Sequence, residues 1–342
     1  MASSTSSQEI IFRITSAVMT ARVLGIVAEL GIADLVAKTP STAANIAKST
    51  GTDVDFLYRI LRFLASISVF EEDADGRFHN TAVSEVLRDG VPGSLRPMVR
   101  TAWQDVILDT YRQLPKAIKG GDPAFNLAHG QDFFEYLAAN SEIGDLFDAS
   151  MALMSAPENE ALANAYDFSR VKCVVDVGGG RGGFLAALLG VNRHLKGVLF
   201  DQSHVISEPS HLEEAGVMNR CQIVDGNFFE AVPSHGDVYV LKRILHDWDD
   251  ANAITILKSC RNALRPEDRL LVMDAVLKPG NGPDLNKALD VGIMALTRGR
   301  ERTQADFERI FEAAGISLTR IIVAPSPSTM SIVEGCLAET KP

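Results

Sequence analysis

A glycine-rich turn between an apolar segment and a helical segment constrains the fold of this chain more than any other feature. Residues 171–177 read as a short buried strand, and residues 178–183 that follow are GGGRGG. A helical segment, residues 184–189, comes directly after the turn. Glycine lets the backbone adopt positive φ and approach a ligand closely, so this arrangement predicts a nucleotide-cofactor cradle in an α/β fold.

Further apolar segments predict a doubly wound sheet around this unit. Four of them are residues 197–200, 222–224, 238–241 and 270–273, and two more in the tail are residues 316–323 and 330–337. Residues 251–264 fit a helix between two of these strands. The pattern is typical of an α/β fold with a Rossmann-like, seven-stranded doubly wound sheet, whose strand ends lie at one edge.

The N-terminal part has a different, mainly helical pattern. Apolar residues recur at helical spacing from Ile10 to Leu35, where Gly25 and Gly31 interrupt them, and Asp53 reads as the N-cap of a later helix. Asp75-Gly76 between two short runs then predicts a hairpin. Helices followed by a hairpin describe a winged helix. The candidate recognition segment has no basic cluster, which argues against DNA binding, and the apolar first helix favours packing against another subunit.

Composition excludes several classes of protein. The net charge of −11 argues against nucleic acid or an anionic membrane as the main partner. We find no apolar stretch approaching the roughly 20 residues that span a bilayer and no secretory signal in residues 1–8. The four cysteines show no CxxC spacing, so we expect no metal site and a reduced, cytoplasmic setting.

Polar residues at the strand ends are the candidate site residues. His246 follows the strand at residues 238–241, Asp274 ends the next strand, and Asp201 ends the second strand, where it suits ribose hydroxyls. The glycine spacing with Asp201 also fits NAD. Three features favour S-adenosylmethionine over NAD. Asp176 is placed to meet an ammonium group, and Asn227 lies beside two phenylalanines. The third feature is the predicted seventh strand.

The order of these motifs resembles one family over nearly the whole chain. The motifs are VVDVGGG at 174–180, FD at 200–201, DGNFF at 225–229, LKRILHDW at 241–248 and GRERT at 299–303. They are similar to class I S-adenosylmethionine-dependent O-methyltransferases of the caffeate, hydroxyindole and bacterial polyketide type. The resemblance implies a winged-helix dimerisation domain at residues 1–90, a helical connector contributing to the substrate pocket at 91–165, and a Rossmann-like catalytic domain at 166–342.

The resemblance also implies a set of cofactor-binding residues. Along the cofactor from methionine to adenine, they are Gly178, Gly180, Asp201, Gln202 and Phe228, with Lys242 or Arg243 from the fourth strand and Met151 and Ser155 from a covering helix. One position departs from the family, which usually has an acid where this chain has Asn227. A neutral amide oxygen still accepts a hydrogen bond from an adenine amino group, although more weakly than a carboxylate.

His246 is the candidate general base, because an imidazole titrates near neutral pH and a phenol does not. The resemblance places Asp274 and Glu301 beside it. Strand position supports Asp274 independently, whereas Glu301 rests on the resemblance and has an alternative as an exposed charge among Arg298, Arg300 and Arg302. Another alternative stays open for Arg243, Arg298 and Arg300, which either bind a carboxylate on the substrate or face solvent or cofactor.

These residues predict a homodimeric O-methyltransferase that acts on a phenolic or enolic hydroxyl of a small aromatic metabolite. Two enzymatic alternatives remain at this point. One is a relative that keeps the cofactor for decarboxylation, hydroxylation or pericyclic chemistry, and the other is an NAD-dependent oxidoreductase. A non-catalytic winged-helix regulator is a third.

Overall fold

The protein is described from a computed structural model covering residues 6–207 and 209–338. The chain divides into two compact units. The first comprises the residues up to Asp109 together with Leu137–Met154, and the second comprises Thr110–Tyr136 and the chain from Ser155 onward. The predicted domain boundaries at residues 90 and 165 stay predictions.

The winged-helix pattern predicted for the N-terminal part is present in the first unit. Its elements are α1 (Ser7–Glu29), α2 (Ile32–Lys38), β1 (Ser41–Thr42), α3 (Ala43–Thr50), α4 (Val54–Ser66), β2 (Phe70–Glu72), β3 (Arg77–Asn80), α5 (Ala82–Glu85) and α6 (Arg96–Thr101). Strands β2 and β3 pair antiparallel, and β1 adds to β3. The Asp53 side chain accepts from Phe56 N, which confirms the predicted N-cap of α4.

Helix α1 does not break at Gly25, so that expectation was wrong. The helix continues to Glu29, and only Gly31, with φ of 63°, separates it from α2. A Cβ atom at position 25 would lie 2.6 Å from Cδ1 of Trp103. The glycine therefore makes room for an indole ring that packs against the helix, rather than ending the helix.

The same helix corrects the expectation that no stretch is long and apolar enough to cross a bilayer. By length and composition α1 passes that test, and most of it is exposed. Its exposed apolar side chains are Ile10, Ile11, Phe12, Ile14, Val18 and Met19. One helix of this kind is weak evidence for a membrane span, because a helix that packs on another subunit has the same composition.

The connector is helical, as predicted. It contains α7 (Asp105–Arg112), α8 (Leu114–Gly120), α9 (Ala124–His129), α10 (Phe133–Ala139) and α11 (Ser141–Ala165). The last of these, α11, contains Pro157. Its C-terminal part belongs to the second unit and carries Ser155 and Glu158.

A seven-stranded sheet forms the centre of the second unit and confirms the predicted fold class. Its strands are β4 (Cys173–Val177), β5 (Lys196–Asp201), β6 (Cys221–Asp225), β7 (Val238–Lys242), β8 (Arg269–Asp274), β11 (Ile316–Val323) and β12 (Ser331–Leu337). The spatial order is β11-β12-β8-β7-β4-β5-β6. The five strands from β8 to β6 are parallel, and β11 and β12 add antiparallel at one edge.

Helices cover both faces of this sheet, which explains why its central strands are continuous apolar runs. The helices are α12 (Gly183–Val191), α13 (Ser210–Glu214), α14 (Asp250–Ala263) and α16 (Gln304–Ala314). Helix α15 (Leu285–Leu296) contacts α9 and β9 instead. In β7, Val238 and Val240 pack into one buried cluster, and Tyr239 and Leu241 pack into the other. The first cluster includes residues of α12, and the second includes residues of α14 and α16.

A separate two-stranded ladder lies between β8 and α16 in the chain. Strands β9 (Val276–Leu277) and β10 (Arg302–Thr303) pair in parallel, with Arg302 opposite Val276. The ladder begins two residues after Asp274 and one residue after Glu301. It therefore fixes two distant parts of the chain, each carrying one of the predicted acids, beside each other.

Candidate active site

The glycine turn after β4 forms an open cradle. Gly178, Gly180 and Gly182 have φ values of 73°, 59° and 82°, in the left-handed region that favours glycine. Gly178 N donates to Phe200 O at 2.8 Å, which ties the turn to the end of β5. A Cβ atom added at Gly180 would meet no atom of the described part of the chain within 4 Å. The cradle thus leaves room over its middle residue for a ligand.

Asp201 closes one side of this cradle. Its Oδ2 accepts from Gly180 N at 2.9 Å, and its Oδ1 accepts from Gln202 N at 2.7 Å. Each carboxylate oxygen has a second lone pair, so these contacts orient the group without exhausting its capacity as an acceptor. The neighbouring Gln202 is exposed.

Asp176 presents a buried acceptor below the turn. The residue is 1% exposed, and its Oδ2 has no hydrogen-bond partner among the described residues. Burial, partly offset by the charge of Lys242, raises the pKa of Asp176 to about 7. An unpartnered buried carboxylate oxygen is costly unless a cation or an N–H group meets it, which suits the predicted contact with a cofactor ammonium group.

Asn227 and Phe228 follow β6. The Asn227 side chain takes part in the local turn, since its Oδ1 accepts from Phe229 N at 3.0 Å and its Nδ2 donates to Glu230 at 3.2 Å. The ring of Phe228 lies near Phe229 and Trp248, with centroids 5.0 and 6.3 Å away. A Cβ atom at Gly178 would lie 3.6 Å from this ring, so Phe228 borders the cradle.

Two cationic residues end β7, and both contact α11. Lys242 Nζ donates to Ser155 Oγ, and burial lowers the pKa of Lys242 to about 8. Arg243 has φ of 54° and makes an ion pair with the buried Glu158 at 2.8 Å. Because that pair is bidentate, the guanidinium of Arg243 already has a carboxylate partner within the chain. The sequence offered no signal for Glu158.

Two further arginines, Arg298 and Arg300, were also candidates for binding a carboxylate on the substrate. Arg298 pairs with Asp122 at 2.7 Å, and both side chains are more than half exposed. Arg300 is exposed as well. Met151 lies in the first unit and is 37% exposed. Its predicted contact with the cofactor stays a prediction.

His246 lies in a 3-10 turn, Leu245–Asp247, directly beyond β7. The residue is 8% exposed, and its Nδ1 lies 3.1 Å from Glu301 Oε1. An ionised carboxylate only accepts hydrogen bonds, so this contact places a proton on Nδ1 and leaves Nε2 as the second functional nitrogen. Asp247 Oδ1 lies 3.6 Å from Nε2, a contact that the sequence had not indicated.

The two predicted acids differ in their contact with the histidine. The acid that rested on the resemblance alone makes the contact, and the acid that strand position supported does not. Glu301, which rested on the resemblance alone, is 3% exposed and contacts His246. The alternative in which it is an exposed charge was therefore wrong. Asp274 is 1% exposed, and neither of its carboxylate oxygens has a hydrogen-bond partner among the described residues. It acts on His246 through charge and not through a hydrogen bond.

Three carboxylates determine the titration of the histidine. Burial opposes the charged imidazolium, but Asp247, Glu301 and Asp274 outweigh it and raise the pKa of His246 to about 9. Burial likewise raises the pKa of Asp274 to about 7. The environment therefore stabilises an imidazolium strongly, which makes His246 a strong proton acceptor once it is neutral.

The main chain around Glu301 is tied to the histidine turn. Glu301 N donates to Asp290 Oδ1 at 2.8 Å, and Arg300 N donates to His246 O at 2.8 Å. A Cβ atom at Gly299 would overlap the carbonyl oxygen of His246. Only glycine permits this close approach, and the GRERT motif therefore has a structural role beside its acid.

A cavity of about 890 Å³ also exists on the second unit, away from these residues. It lies between the segment after β9, the start of α16 and the β11–β12 hairpin, and Asn286, Ala305 and Val323 contribute to its wall. None of the predicted site residues lines it.

A seven-stranded sheet of this order, with a glycine cradle and a buried histidine beside carboxylates at its strand ends, defines a Rossmann-like methyltransferase. Comparison with known proteins gives the family. Residues 111–317 match the O-methyltransferase domain and residues 12–89 match the O-methyltransferase dimerisation domain. The chain belongs to this O-methyltransferase family and is an S-adenosylmethionine-dependent O-methyltransferase.

Three relatives illustrate the range of the family. A phenazine O-methyltransferase of Lysobacter antibioticus is 40% identical over 319 residues, which cover 91% of each chain. An O-methyltransferase from neocarzinostatin biosynthesis, solved with S-adenosylhomocysteine and 1,4-dihydroxy-2-naphthoic acid, is 31% identical with a TM-score of 0.79, covering 93% of this chain and 96% of that one. An aclacinomycin 10-hydroxylase of Streptomyces purpurascens is 33% identical over 311 residues, covering 88% of this chain and 82% of that protein.

These comparisons decide between the cofactors. S-adenosylmethionine is the cofactor, and the NAD-dependent alternative is set aside. The winged helix is part of a dimerisation domain, so the regulator alternative has no support. The residues present fit the group, because among residues 6–207 and 209–338 Asp176 Oδ2 is a buried acceptor without a partner and Gly180 has open space above it.

A substitution in the glycine turn tests whether the turn positions Asp176 for cofactor binding. Gly179→Ala should weaken binding of S-adenosylhomocysteine by about tenfold or more, because its Cβ would lie 2.7 Å from Asp176 Oδ2 and displace that carboxylate. Isothermal titration calorimetry measures the change. Gly190→Ala on α12, where a Cβ meets nothing within 4 Å, is the matched control and should bind normally. Equal affinity in the two variants would show that the turn does not set the position of Asp176.

Proposed function

We propose that the enzyme methylates a phenolic or enolic hydroxyl of a small aromatic metabolite, with His246 as the general base. The observation that carries the proposal is the buried imidazole at the end of β7, whose Nδ1 is held by Glu301. Its relatives include enzymes named as a phenazine O-methyltransferase and a 3-amino-4-hydroxybenzoate 4-O-methyltransferase, and both names refer to aromatic molecules. We also propose that the enzyme is a cytoplasmic homodimer.

His246 Nε2 removes the hydroxyl proton as the oxygen becomes the nucleophile. With Nδ1 already protonated, the ring becomes an imidazolium, which Glu301, Asp274 and Asp247 stabilise. A phenol has a pKa of about 10, so at neutral pH little phenolate forms without such a base. General base catalysis of this kind contributes roughly 10²–10⁴-fold to the rate. The cofactor, when bound, supplies the methyl group from its sulfonium and leaves as S-adenosylhomocysteine.

Several residues of this chain would hold the cofactor. Asp176 would accept from its ammonium group, Gly178 and Gly180 would line its methionine part, and Asp201 would accept from the ribose hydroxyls. Gln202, Asn227 and Phe228 would surround the adenine, of which Phe228 would meet the face. Lys242 and Ser155, hydrogen-bonded to each other, would close the site from β7 and α11, with Arg243 beside them.

Hydroxylation is the second candidate, because a relative at 33% identity is named a hydroxylase. The base at the strand end favours methyl transfer in this chain. Methyl transfer to a hydroxyl oxygen needs a group that takes the proton from that hydroxyl, and His246 with Glu301 forms such a group.

Replacement of the histidine tests the proposal. His246→Ala should lower kcat on a neutral phenol by about 10²–10⁴-fold while the affinity for S-adenosylhomocysteine stays nearly unchanged. Product mass and calorimetry measure the two quantities. His79→Ala, which removes a half-exposed histidine paired with Asp73 in the first unit, is the control and should keep full activity. Undiminished turnover in His246→Ala would exclude the base role.

The pH profile is a second test. Only neutral His246 takes a proton, and its pKa of about 9 means that the active form is lost as the pH falls below that value. We expect kcat/KM to rise by about tenfold per pH unit from pH 7 towards pH 9. Glu301→Gln removes one of the charges that raise this pKa, so its profile should move to lower pH. A flat profile, or one that Glu301→Gln leaves in place, would contradict the assignment.

The exposed apolar side of α1 supports the homodimer. A second chain packed on Ile14 and Val18, which are 64% and 69% exposed, would remove them from water. Ile14→Asp with Val18→Asp should convert the dimer to a monomer in analytical ultracentrifugation, because each carboxylate would be buried without a partner. Val191→Asp on α12, half exposed in the second unit, is the control and should stay dimeric. A wild-type monomer would refute the proposal.

A further inference from the structure

A buried arginine lies directly beside the histidine turn. Arg302 is 1% exposed, and its guanidinium carries a positive charge. Removing such a charge from water is costly unless hydrogen bonds and an opposite charge replace the solvent. The alternative interpretation of Glu301 as an exposed charge also treated Arg302 as an exposed arginine, and the burial of Arg302 contradicts that interpretation.

The partners of Arg302 are specific atoms of the histidine turn. Nη1 donates to Leu245 O at 2.7 Å, and Nη2 donates to Trp248 O at 2.8 Å. Nε and Nη2 also donate to Asp250 Oδ1 at 3.1 and 3.0 Å. The two carbonyl groups belong to the residue before His246 and to the second residue after it. One side chain therefore holds the main chain on both sides of the imidazole.

Arg302 adds to the hydrogen bonds of the turn itself. Leu245 O already accepts from Trp248 N at 3.3 Å, and Nη1 of Arg302 is a second and shorter donor to the same carbonyl. Trp248 O lies just beyond the turn and accepts from Nη2 of Arg302. The planar guanidinium offers five donors in a fixed fork and meets two carbonyls and a carboxylate together. A lysine ammonium is a single centre at the end of a flexible chain and does not reproduce this geometry.

Arg302 is also next to Glu301 in the chain. Glu301 contacts the imidazole itself, and Arg302 contacts the main chain that carries the imidazole. The pairing of Arg302 with Val276 in the β9–β10 ladder fixes both residues with respect to the end of β8. The histidine and its acid are thus held to each other by side chain and by main chain.

We propose that Arg302 is a positioning residue for His246, which keeps Nδ1 on Glu301 and presents Nε2 to the acceptor hydroxyl. The proposal rests on the proposed role of His246 as the base. Three carboxylates act on the imidazole: Asp247 in its own turn, Asp274 at the end of β8, and Glu301 before β10. The charge of Arg302 acts on Asp274. A substitution that keeps the positive charge and changes only the geometry isolates the positioning effect.

Arg302→Lys is that substitution. We expect kcat per S-adenosylhomocysteine-binding site to fall about tenfold to a hundredfold, because the reacting groups lose their alignment. Affinity for S-adenosylhomocysteine should stay within about twofold. The rise of kcat/KM with pH should move to lower pH, because a weaker contact between His246 and Glu301 stabilises the imidazolium less.

Arg309→Ala is the matched control. Arg309 donates to Asp250 Oδ2 at 2.6 Å but is 54% exposed and makes its other ion pair with Asp306. Its loss should leave kcat within about twofold of wild type and leave the pH profile in place. If Arg302→Lys fails to bind S-adenosylhomocysteine, Asp250→Asn replaces it, since this variant weakens one side of the same contact and should shift both readouts in the same direction.

The outcomes separate this proposal from the preceding one. A lower melting temperature with unchanged kcat per binding site and an unchanged pH profile in the deciding variant would make Arg302 merely structural and overturn the proposal. Full turnover in His246→Ala would instead overturn the base role. A fall in kcat with a shifted profile in Arg302→Lys, and neither in Arg309→Ala, supports the positioning role.

Discussion

The contact between His246 Nδ1 and Glu301 Oε1 is buried, and neighbouring residues of the second unit offset the free-energy cost of removing these groups from water. A carboxylate and an imidazole that leave water need further partners, or the pair destabilises the fold. Asp290 meets the main chain of Glu301, and Arg302 meets the main chain of the histidine turn. Two more acids near the ring make the local charge negative, and a proton on His246 offsets part of that charge.

The sheet could be predicted because its physical cause is visible in local sequence. Helices bury both faces of β7, so all four of its first residues are apolar, and turn residues mark its ends. All seven predicted strands are present within a few residues. Gly25 misled the prediction of α1, because its reason is Trp103, a residue far along the chain. Local sequence contains no signal for such a neighbour.

Local sequence predicted site residues only where a strand end indicated them, and Glu301 was predicted from the resemblance alone. Asp201 and His246 follow apolar runs, and their positions are those expected for an open α/β sheet. Glu158 pairs with Arg243 across 85 residues, and Glu301 meets His246 across 55. Contacts at such separations depend on how elements pack. A charged residue outside an apolar segment most often faces water, so the residues adjacent to Arg302 in the chain gave no indication that its side chain is buried.

The β9–β10 ladder holds Asp274 and Glu301 at a spacing that does not depend on the length of the chain between them. Since Arg302 pairs with Val276, the acids at the starts of the two strands keep their spacing whatever the intervening residues 278–298 do, provided that Asp290 still reaches Glu301. That intervening segment includes α15 and a loop rich in glycine and proline. Insertions and substitutions there can change this segment while the contacts of His246 with Glu301 and Arg302 stay constant, since loops tolerate such changes better than the elements that they connect.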